Sequence, residues 1–153
     1  MSDQQQAVRL ADLIDTTRPE NEGVWVQYQN TPFWLRVTYY GKQQMQKMFE
    51  AAKTTKLNMR TLREEEEMDK LKFRKLYARK VIQEWKGLTI DVLRSMVILK
   101  LDSSLAGDLE VPCTDENKEM LIEHSLEFDQ WLASVTQKVD TFNEQKKAAE
   151  LGN

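Results

Sequence analysis

Apolar and aromatic residues alternate with other residues along two short runs, residues 24–28 and 33–40. Both runs are rich in β-branched and aromatic residues, and the sequence QNTP separates them. Alternation of this kind around a turn that contains Asn predicts a β-hairpin over residues 23–40. A two-stranded hairpin is only marginally stable in water, so we expect it to pack on other elements or to gain a strand from the N-terminal segment.

From Lys42 onward, apolar residues recur with the spacing of an α-helix. The first helix is predicted to end near residues 54–55, and the polar segment 56–67 is interpreted as a linker or a loosely helical segment. A second helix is predicted over about residues 66–85, because its acidic start and basic body match the helix dipole. Gly87 then supplies a residue suited to the left-handed conformation at a helix end. The apolar stripe of the first helix consists of Met45, Met48, Phe49 and Ala52.

The C-terminal half carries further helical signals. Thr89 can cap a short helix over about residues 90–96, and Thr114 can cap another helix whose first turn is acidic. A long apolar pattern then continues to Phe142, as one helix or as two with a break near residues 124–125. Together these patterns predict an α+β fold, mostly α, in which an N-terminal β-hairpin or small sheet precedes four to five helices.

The 153 residues are sufficient for one domain. We expect a mobile N-terminal segment (residues 1–22), a single α+β domain (residues 23–143, with the hairpin at 23–40) and a flexible tail (residues 144–153). No apolar run approaches the roughly 20 residues of a membrane span. The chain start lacks a basic segment followed by an apolar one, which argues against a secretory signal. A single cysteine excludes an internal disulfide, and a cytoplasmic protein without a membrane partner is expected.

The charges are unevenly distributed, although the net charge is only −3. Residues 56–86 contain ten Lys and Arg against six Asp and Glu, whereas residues 102–129 contain nine acidic residues and one Lys. These two parts could join copies of the chain head to tail, as a form of self-association, or could meet different partners; two solvated faces are the commoner case. An acidic chain repels phosphate, so nucleic acid is disfavoured as a partner.

Candidate catalytic chemistry is sparse. His124 is the only histidine, so a Ser-His-Asp triad or a His-based metal site lacks its usual residues within one copy. Cys113 precedes a predicted helix start, where the dipole can lower a thiol pKa, but an inert, small buried cysteine is the commoner case. The run Glu64–Glu67 lacks the spacing of a calcium loop. We therefore predict a protein that is not an enzyme and has no catalytic residue, cofactor or metal site.

Three aromatic residues of the predicted hairpin are candidates for partner binding. Trp25, Trp34 and Tyr40 fall on the face of the hairpin that we expect to be less buried, although coverage by helices is an equal alternative for the tryptophans. Structural roles are assigned instead to Trp85, Gly87 and Trp131. Trp85 is expected to anchor the second helix in the core, and Gly87 to turn the chain so that the next segment packs back over that helix.

The order of three segments resembles that of small tail assembly chaperones of long-tailed bacteriophages and prophages. The segments are GVWVQYQNTPFWLRVTYYGK, LYARKVIQEWKGL and EVPCTDENKEMLIEHSLEFDQWL, and the resemblance covers about residues 20–143. Its most specific parts are the sequence Trp85-Lys86-Gly87 and a helix start that contains Pro112, Thr114, Glu116 and Asn117.

This resemblance implies a non-enzymatic protein that binds the tape measure protein, keeps it soluble and helps to recruit the tail tube protein. It implies action in the host bacterial cytoplasm and absence from the mature virion. It also implies a longer form made by −1 frameshifting, for which the pair Lys146–Lys147 is a candidate position. Two alternatives stay open: a phage-encoded inhibitor or regulator that binds a host protein or nucleic acid, and a minor structural tail protein.

Overall fold

The computed structural model describes residues 7–100 and 104–143, which include seven helices, five strands and a further helical stretch at residues 139–143. The helices are α1 (Leu10–Leu13), α2 (Arg18–Asn21), α3 (Lys42–Ala51), α4 (Lys70–Val81), α5 (Ile90–Arg94), α6 (Asp115–His124) and α7 (Leu126–Gln137). The strands are β1 (Gly23–Gln27), β2 (Trp34–Thr38), β3 (Lys53–Asn58), β4 (Arg63–Met68) and β5 (Ile82–Lys86). Mixed α and β structure agrees with the predicted class, and five of the named helices follow the N-terminal hairpin.

The predicted hairpin is confirmed as β1 and β2, which pair antiparallel with Gly23 opposite Thr38 and Gln27 opposite Trp34. The third strand of this sheet is β5, which pairs antiparallel with β2 and gives the order β1-β2-β5. The hairpin therefore gains its extra strand from residues 82–86, and the N-terminal segment forms the short helices α1 and α2 instead.

The prediction of one helix over residues 66–85 is wrong at both ends. The helix α4 begins after Asp69, whose carboxylate accepts a hydrogen bond from the Lys72 amide N–H at 3.1 Å. It ends at Val81, and the chain continues as β5, so Trp85 lies on a strand. Ile82 and Trp85 are three residues apart, which fits a helical stripe, but pairing with β2 buries both of them and overrides that preference.

The segment predicted as a linker or loose helix, residues 56–67, is instead part of a second hairpin. The strands β3 and β4 pair from Lys53 opposite Met68 to Asn58 opposite Arg63, and we call residues 53–68 the β-arm. Helix α3 accordingly ends at Ala51, before the expected position. Ten of the twelve strand residues are exposed and two are partly buried, so neither face of the β-arm carries the apolar alternation that identifies a strand in a sequence.

The helix starts in the C-terminal half are confirmed. The Thr89 hydroxyl accepts a hydrogen bond from the Val92 amide, and the Thr114 hydroxyl accepts one from the Asn117 amide at 3.1 Å. The long apolar pattern divides into α6 and α7 at Ser125, whose side chain caps α7. Each of these caps satisfies an amide that the helix itself leaves unpaired.

The centre of the core is a cluster of aromatic side chains between the hairpin and α7. Tyr28 lies 4.9 Å from Trp131 between ring centroids, and Phe33 lies 5.6 Å from Trp85. Phe128 stacks near Phe33 at 5.9 Å. The Trp85 indole N–H also donates a hydrogen bond to the Val111 carbonyl at 2.8 Å. Trp85 thus contributes both apolar packing and a satisfied polar group to the core.

Gly87 turns the chain directly after β5, with a φ of +76°. A Cβ atom at this position would overlap the carbonyl oxygen of Pro32, so the turn needs a residue without a side chain. The next residue, Leu88, is buried, and its carbonyl accepts a hydrogen bond from the Val111 amide at 2.7 Å. Gly87 therefore returns the chain to the core, although it follows a strand and not the predicted helix.

All three predicted segments include residues that lie outside the described ranges. These are residues 1–6 of the N-terminal segment, residues 101–103 of the domain, and the whole tail, residues 144–153, with its Lys146–Lys147 pair. Within residues 7–100 and 104–143, no helix combines the length and apolarity that crossing a bilayer requires.

Candidate protein-binding surfaces

Trp25 and Trp34 lie on the same side of the three-stranded sheet, which we call the outer sheet face. Trp25 is opposite Arg36 and Trp34 is opposite Gln27, so the two tryptophans are diagonal neighbours across the strand pair. Both are partly buried. The Lys86 ammonium lies 4.6 Å from the Trp25 ring centroid, which is a cation–π contact. The structure therefore brings two of the three predicted contact residues together on one surface.

Tyr40, the third predicted contact residue, does not lie on this surface. Only 4% of it is exposed, and its ring lies edge-on to Tyr77 at 5.0 Å. Strand β2 ends at Thr38, so the alternation of faces no longer applies two residues later. The Tyr40 amide then donates to the Thr136 carbonyl at 2.8 Å, which holds the residue against α7. The prediction that Tyr40 is an accessible contact residue is wrong.

A second candidate surface is an apolar groove of about 550 Å³ between residues 93–99 and helix α6. Trp85 and Val111 line it from the core side, and His124 lines it from the end of α6. Ile98 is fully exposed and Met120 is 48% exposed. The other apolar side chains of this apolar groove are Leu88, Leu93, Val97, Leu99 and Leu121. Exposed apolar side chains beside a concave surface are typical of binding sites.

The sequence contains a signal for the apolar groove that its helical periodicity does not explain. Residues 96–99 read Met-Val-Ile-Leu, four consecutive apolar residues directly after a short capped helix. The helix α5 ends at Arg94, so residues 96–99 belong to no helix or strand and cannot all face the core. An apolar run that exceeds its helix is the feature that would have predicted this surface.

The basic helix α4 and the acidic helix α6 partly neutralise each other within one chain. The Arg74 guanidinium lies 3.1 Å from the Glu123 carboxylate, and the Arg79 guanidinium lies 3.4 Å from that of Asp115. These contacts engage both arginines of the basic stretch on α4. They remove part of the free charge on which a head-to-tail association between copies would depend.

Cys113 and His124, the two residues considered separately for catalytic chemistry, lie in different environments. Burial raises the pKa of the Cys113 thiol, although the nearby Lys118 ammonium opposes that effect. A nucleophilic cysteine has a lowered pKa, so the shift at Cys113 is in the opposite direction. His124 is the exposed last residue of α6, with its Nε2 atom 3.8 Å from the Glu123 carboxylate. The part of the chain that the structure describes contains no group of three or more His, Cys, Asp or Glu side chains placed to hold a metal ion.

The β-arm is the third candidate surface. Its cross-strand contacts include Lys53 with Glu66 at 3.4 Å and the Asn58 amide, which donates to the Glu65 carboxylate at 2.8 Å. A hydrogen bond from the Lys53 ammonium to Glu50, and a second to Glu66, raise the pKa of Lys53. The turn at the tip of the β-arm carries Met59 and Leu62, which are 76% and 73% exposed.

No protein-family model, curated protein or solved structure matches this chain. The three surfaces and the sequence resemblance are therefore the basis for a functional assignment.

Proposed function

We propose that this protein is a non-enzymatic tail assembly chaperone that binds the tape measure protein during the assembly of a long phage tail. The resemblance of its three sequence segments supports the phage assignment. The apolar groove, with Ile98 and Met120 exposed beside it, is the observation that supports protein binding. The proposed site of action is the cytoplasm of the host bacterium, and the protein does not stay in the mature virion.

A helical client suits the apolar groove for geometric reasons. An amphipathic helix presents apolar side chains at intervals of three and four residues, and these can insert between residues 93–99 and α6. Met120 has a flexible, unbranched side chain that adapts to differently shaped partners. A long helical client contains many such stripes, and covering them prevents their aggregation.

The outer sheet face supplies a second contact surface in this proposal. Trp25 and Trp34 offer large aromatic area, and Arg36 and Lys86 lie beside them. Aromatic residues together with Arg are enriched where protein interfaces derive most of their energy. We assign this face to the same assembly complex, with the tail tube protein as a further partner.

The alternative of a nucleic-acid-binding regulator is less well supported by the charges. Arg74 and Arg79 are engaged by acidic residues of α6, and the chain is acidic overall. A regulator that binds a host protein, or a minor structural tail protein, is distinguished by other observations. A chaperone gene should lie between the tail tube and tape measure genes, and its product should be absent from purified virions.

Co-expression with the tape measure protein encoded nearby tests the proposal. The wild-type chain should raise the soluble yield of the tape measure protein, and Ile98→Asp should abolish most of that gain because it places a charge in the apolar groove. Leu126→Asp is the matched control, since Leu126 is 71% exposed and does not line the apolar groove. Thermal melts of both variants should stay close to that of the wild type.

Trp34→Ala separates the two surfaces in the same assay. A loss of soluble yield with Trp34→Ala but not with Ile98→Asp would move the client site to the outer sheet face. If the wild-type chain leaves the yield unchanged and the gene lies apart from tail genes, the chaperone assignment is wrong.

A further inference from the structure

In the part of the chain that the structure describes, both strand edges of the β-arm are uncovered. Among the described residues, the two-stranded sheet has the order β3-β4, with no third strand on either side. Exposed edges present unpaired backbone N–H and C=O groups, which favour pairing with another strand. The two edges differ in charge, since β4 contains the run Glu64–Glu67 whereas β3 contains only Lys53 and Lys56.

The glutamate run disfavours pairing of β4 with β4 of a second copy. A two-fold axis that relates two antiparallel strands places residues of equal parity opposite each other. Any register centred on Glu64–Glu67 therefore sets Glu opposite Glu, and like charges directly opposite are destabilising. The edge of β4 is thus protected by its composition, in the way that natural edge strands often are.

The edge of β3 has no such obstacle. With the two-fold axis at Thr55, Thr55 lies opposite Thr55 of the second copy, and Lys53 lies opposite Leu57 of the second copy. Thr54 then lies opposite Lys56 of the second copy, so no two like charges face each other. β-branched residues such as Thr54 and Thr55 also favour cross-strand packing.

We propose that the protein forms a homodimer in which the β3 edges of two β-arms pair antiparallel. The product is a four-stranded sheet of order β4-β3-β3-β4, with a glutamate run on each outer edge. These outer edges stop further strand addition, so the assembly closes as a two-fold dimer. This inference does not depend on the chaperone assignment.

The antiparallel pairing of the two β3 strands also keeps the two domains apart. It places the two domains at opposite ends of the four-stranded sheet. The tip of each β-arm, with exposed Met59 and Leu62, then reaches the base of the other, where Phe49 and Leu71 are exposed. Contact between these apolar side chains would add buried area to the backbone pairing.

Pairing of β3 with β4 of a second copy is the main competing geometry, because lysine would meet glutamate. In its antiparallel form, equivalent strands of the two copies would lie about 10 Å apart, which is two strand spacings. A domain of this length has a radius of gyration of about 15 Å, so the two bodies would overlap. This geometry also leaves one β3 edge and one β4 edge uncovered, so further copies could add and the assembly would not close.

Disulfide trapping tests the axis at Thr55 directly. In a Cys113→Ala background, Thr55→Cys should form an intermolecular disulfide in high yield under mild oxidation, since opposite residues in an antiparallel pair have Cα atoms about 4.5–5.5 Å apart. Glu65→Cys, at the centre of β4, is the matched control and should stay monomeric on a non-reducing gel. Efficient disulfide formation between two copies of Glu65→Cys would overturn the proposed pairing. So would an efficient disulfide that joins Thr55→Cys to Glu65→Cys when the two variants are mixed.

Charge substitution at the same position gives a second test by analytical ultracentrifugation. The wild type should dimerise, and Thr55→Lys and Thr55→Glu should each weaken dimerisation about fivefold because like charges then meet at the axis. An equal mixture of the two variants should recover the wild-type dimer, which unfolding of the β-arm could not produce. Thr61→Lys, in the exposed turn, should have no effect. A wild type that stays monomeric up to about 1 mM would refute the proposal.

Discussion

The two antiparallel sheets of this protein are maintained by different forces. In the sheet β1-β2-β5, Val26, Leu35 and Val37 are buried and pack in the aromatic core. In the β-arm, no strand residue is buried, and both faces contact solvent. The same backbone structure therefore depends on burial of apolar side chains in one region and on local pairing in the other. The sheet β1-β2-β5 forms part of the core of the domain, whereas the β-arm provides exposed surface.

Three local features account for the formation of the β-arm. The Asp69 amide donates to the Ala52 carbonyl at 2.9 Å and closes its base. At the tip, the Asn58 side chain accepts a hydrogen bond from the Arg60 amide, and the Leu62 amide donates one to the Asn58 carbonyl at 2.7 Å. The ion pairs between the strands are exposed, and solvent screening makes their contribution to stability small. We therefore expect the β-arm to open without unfolding of the domain.

The largest expected effect comes from removing the Trp85 side chain. Trp85→Ala should lower the free energy of unfolding by about 3–5 kcal/mol, because it leaves a cavity beside Phe33 and loses the hydrogen bond to Val111. Urea denaturation followed by far-UV circular dichroism measures the change. A loss below about 1 kcal/mol would mean that burial of apolar side chains does not stabilise the sheet β1-β2-β5.

A smaller loss is expected when Gly87 acquires a side chain. Gly87→Ala should cost about 1–3 kcal/mol, because the new Cβ overlaps the Pro32 carbonyl at a positive φ. Gly23→Ala is the control, since its Cβ would meet the side chains of Gln83 and Arg36, which can move. Equal urea midpoints for the two variants would show that the turn tolerates a side chain.

The buried tyrosines should make the domain sensitive to alkali. Burial is the main cause that raises the pKa of Tyr77, and it also raises that of Tyr40, relative to the ordinary value of 10.0. The folded state therefore keeps these phenols protonated more strongly than the unfolded state does. Their contribution to stability is complete below pH 10.0 and is lost as the pH rises above it.

Tyr77→Phe should flatten this alkaline loss, because the ring stays and the titrating hydroxyl is removed. Urea midpoints measured from about pH 8 to about pH 11 give the comparison. The β-arm contains no tyrosine, so Leu57→Ala should keep the wild-type dependence of the urea midpoint on pH. An unchanged slope in Tyr77→Phe would show that another group controls the alkaline loss.

The smallest effect is expected within the β-arm. Leu57→Ala should change the free energy of unfolding by less than about 0.5 kcal/mol, because Leu57 is 52% exposed. Leu35→Ala, at a fully buried position of β2, is its counterpart and should cost about 2–5 kcal/mol. Hydrogen exchange below the dimerisation concentration should also be faster for β3 amides than for β2 amides. Slow exchange in β3 under those conditions would contradict local opening.

The sequence by itself determined the elements whose signals are local. The β1–β2 hairpin follows from alternation around one turn, and the helix starts after Thr89, Thr114 and Ser125 follow from side chains that cap amides three residues away. A break between α6 and α7 near residues 124–125 was one of two interpretations that the sequence left open, and the structure shows that Ser125 caps α7 there. Such signals act within a few residues, so they can be recognised in the sequence without information about distant contacts.

Only the tertiary structure decided the features that depend on a distant partner. Residues 82–86 fit a helical stripe until β2 offers a strand to pair with, and Tyr40 turns inward because α7 accepts its amide hydrogen bond. The β-arm lacks any alternating pattern because neither of its faces is buried. The apolar groove arises only where residues 93–99 approach α6. In each case the free energy that selects the structure comes from contacts far apart in sequence, which local periodicity does not contain.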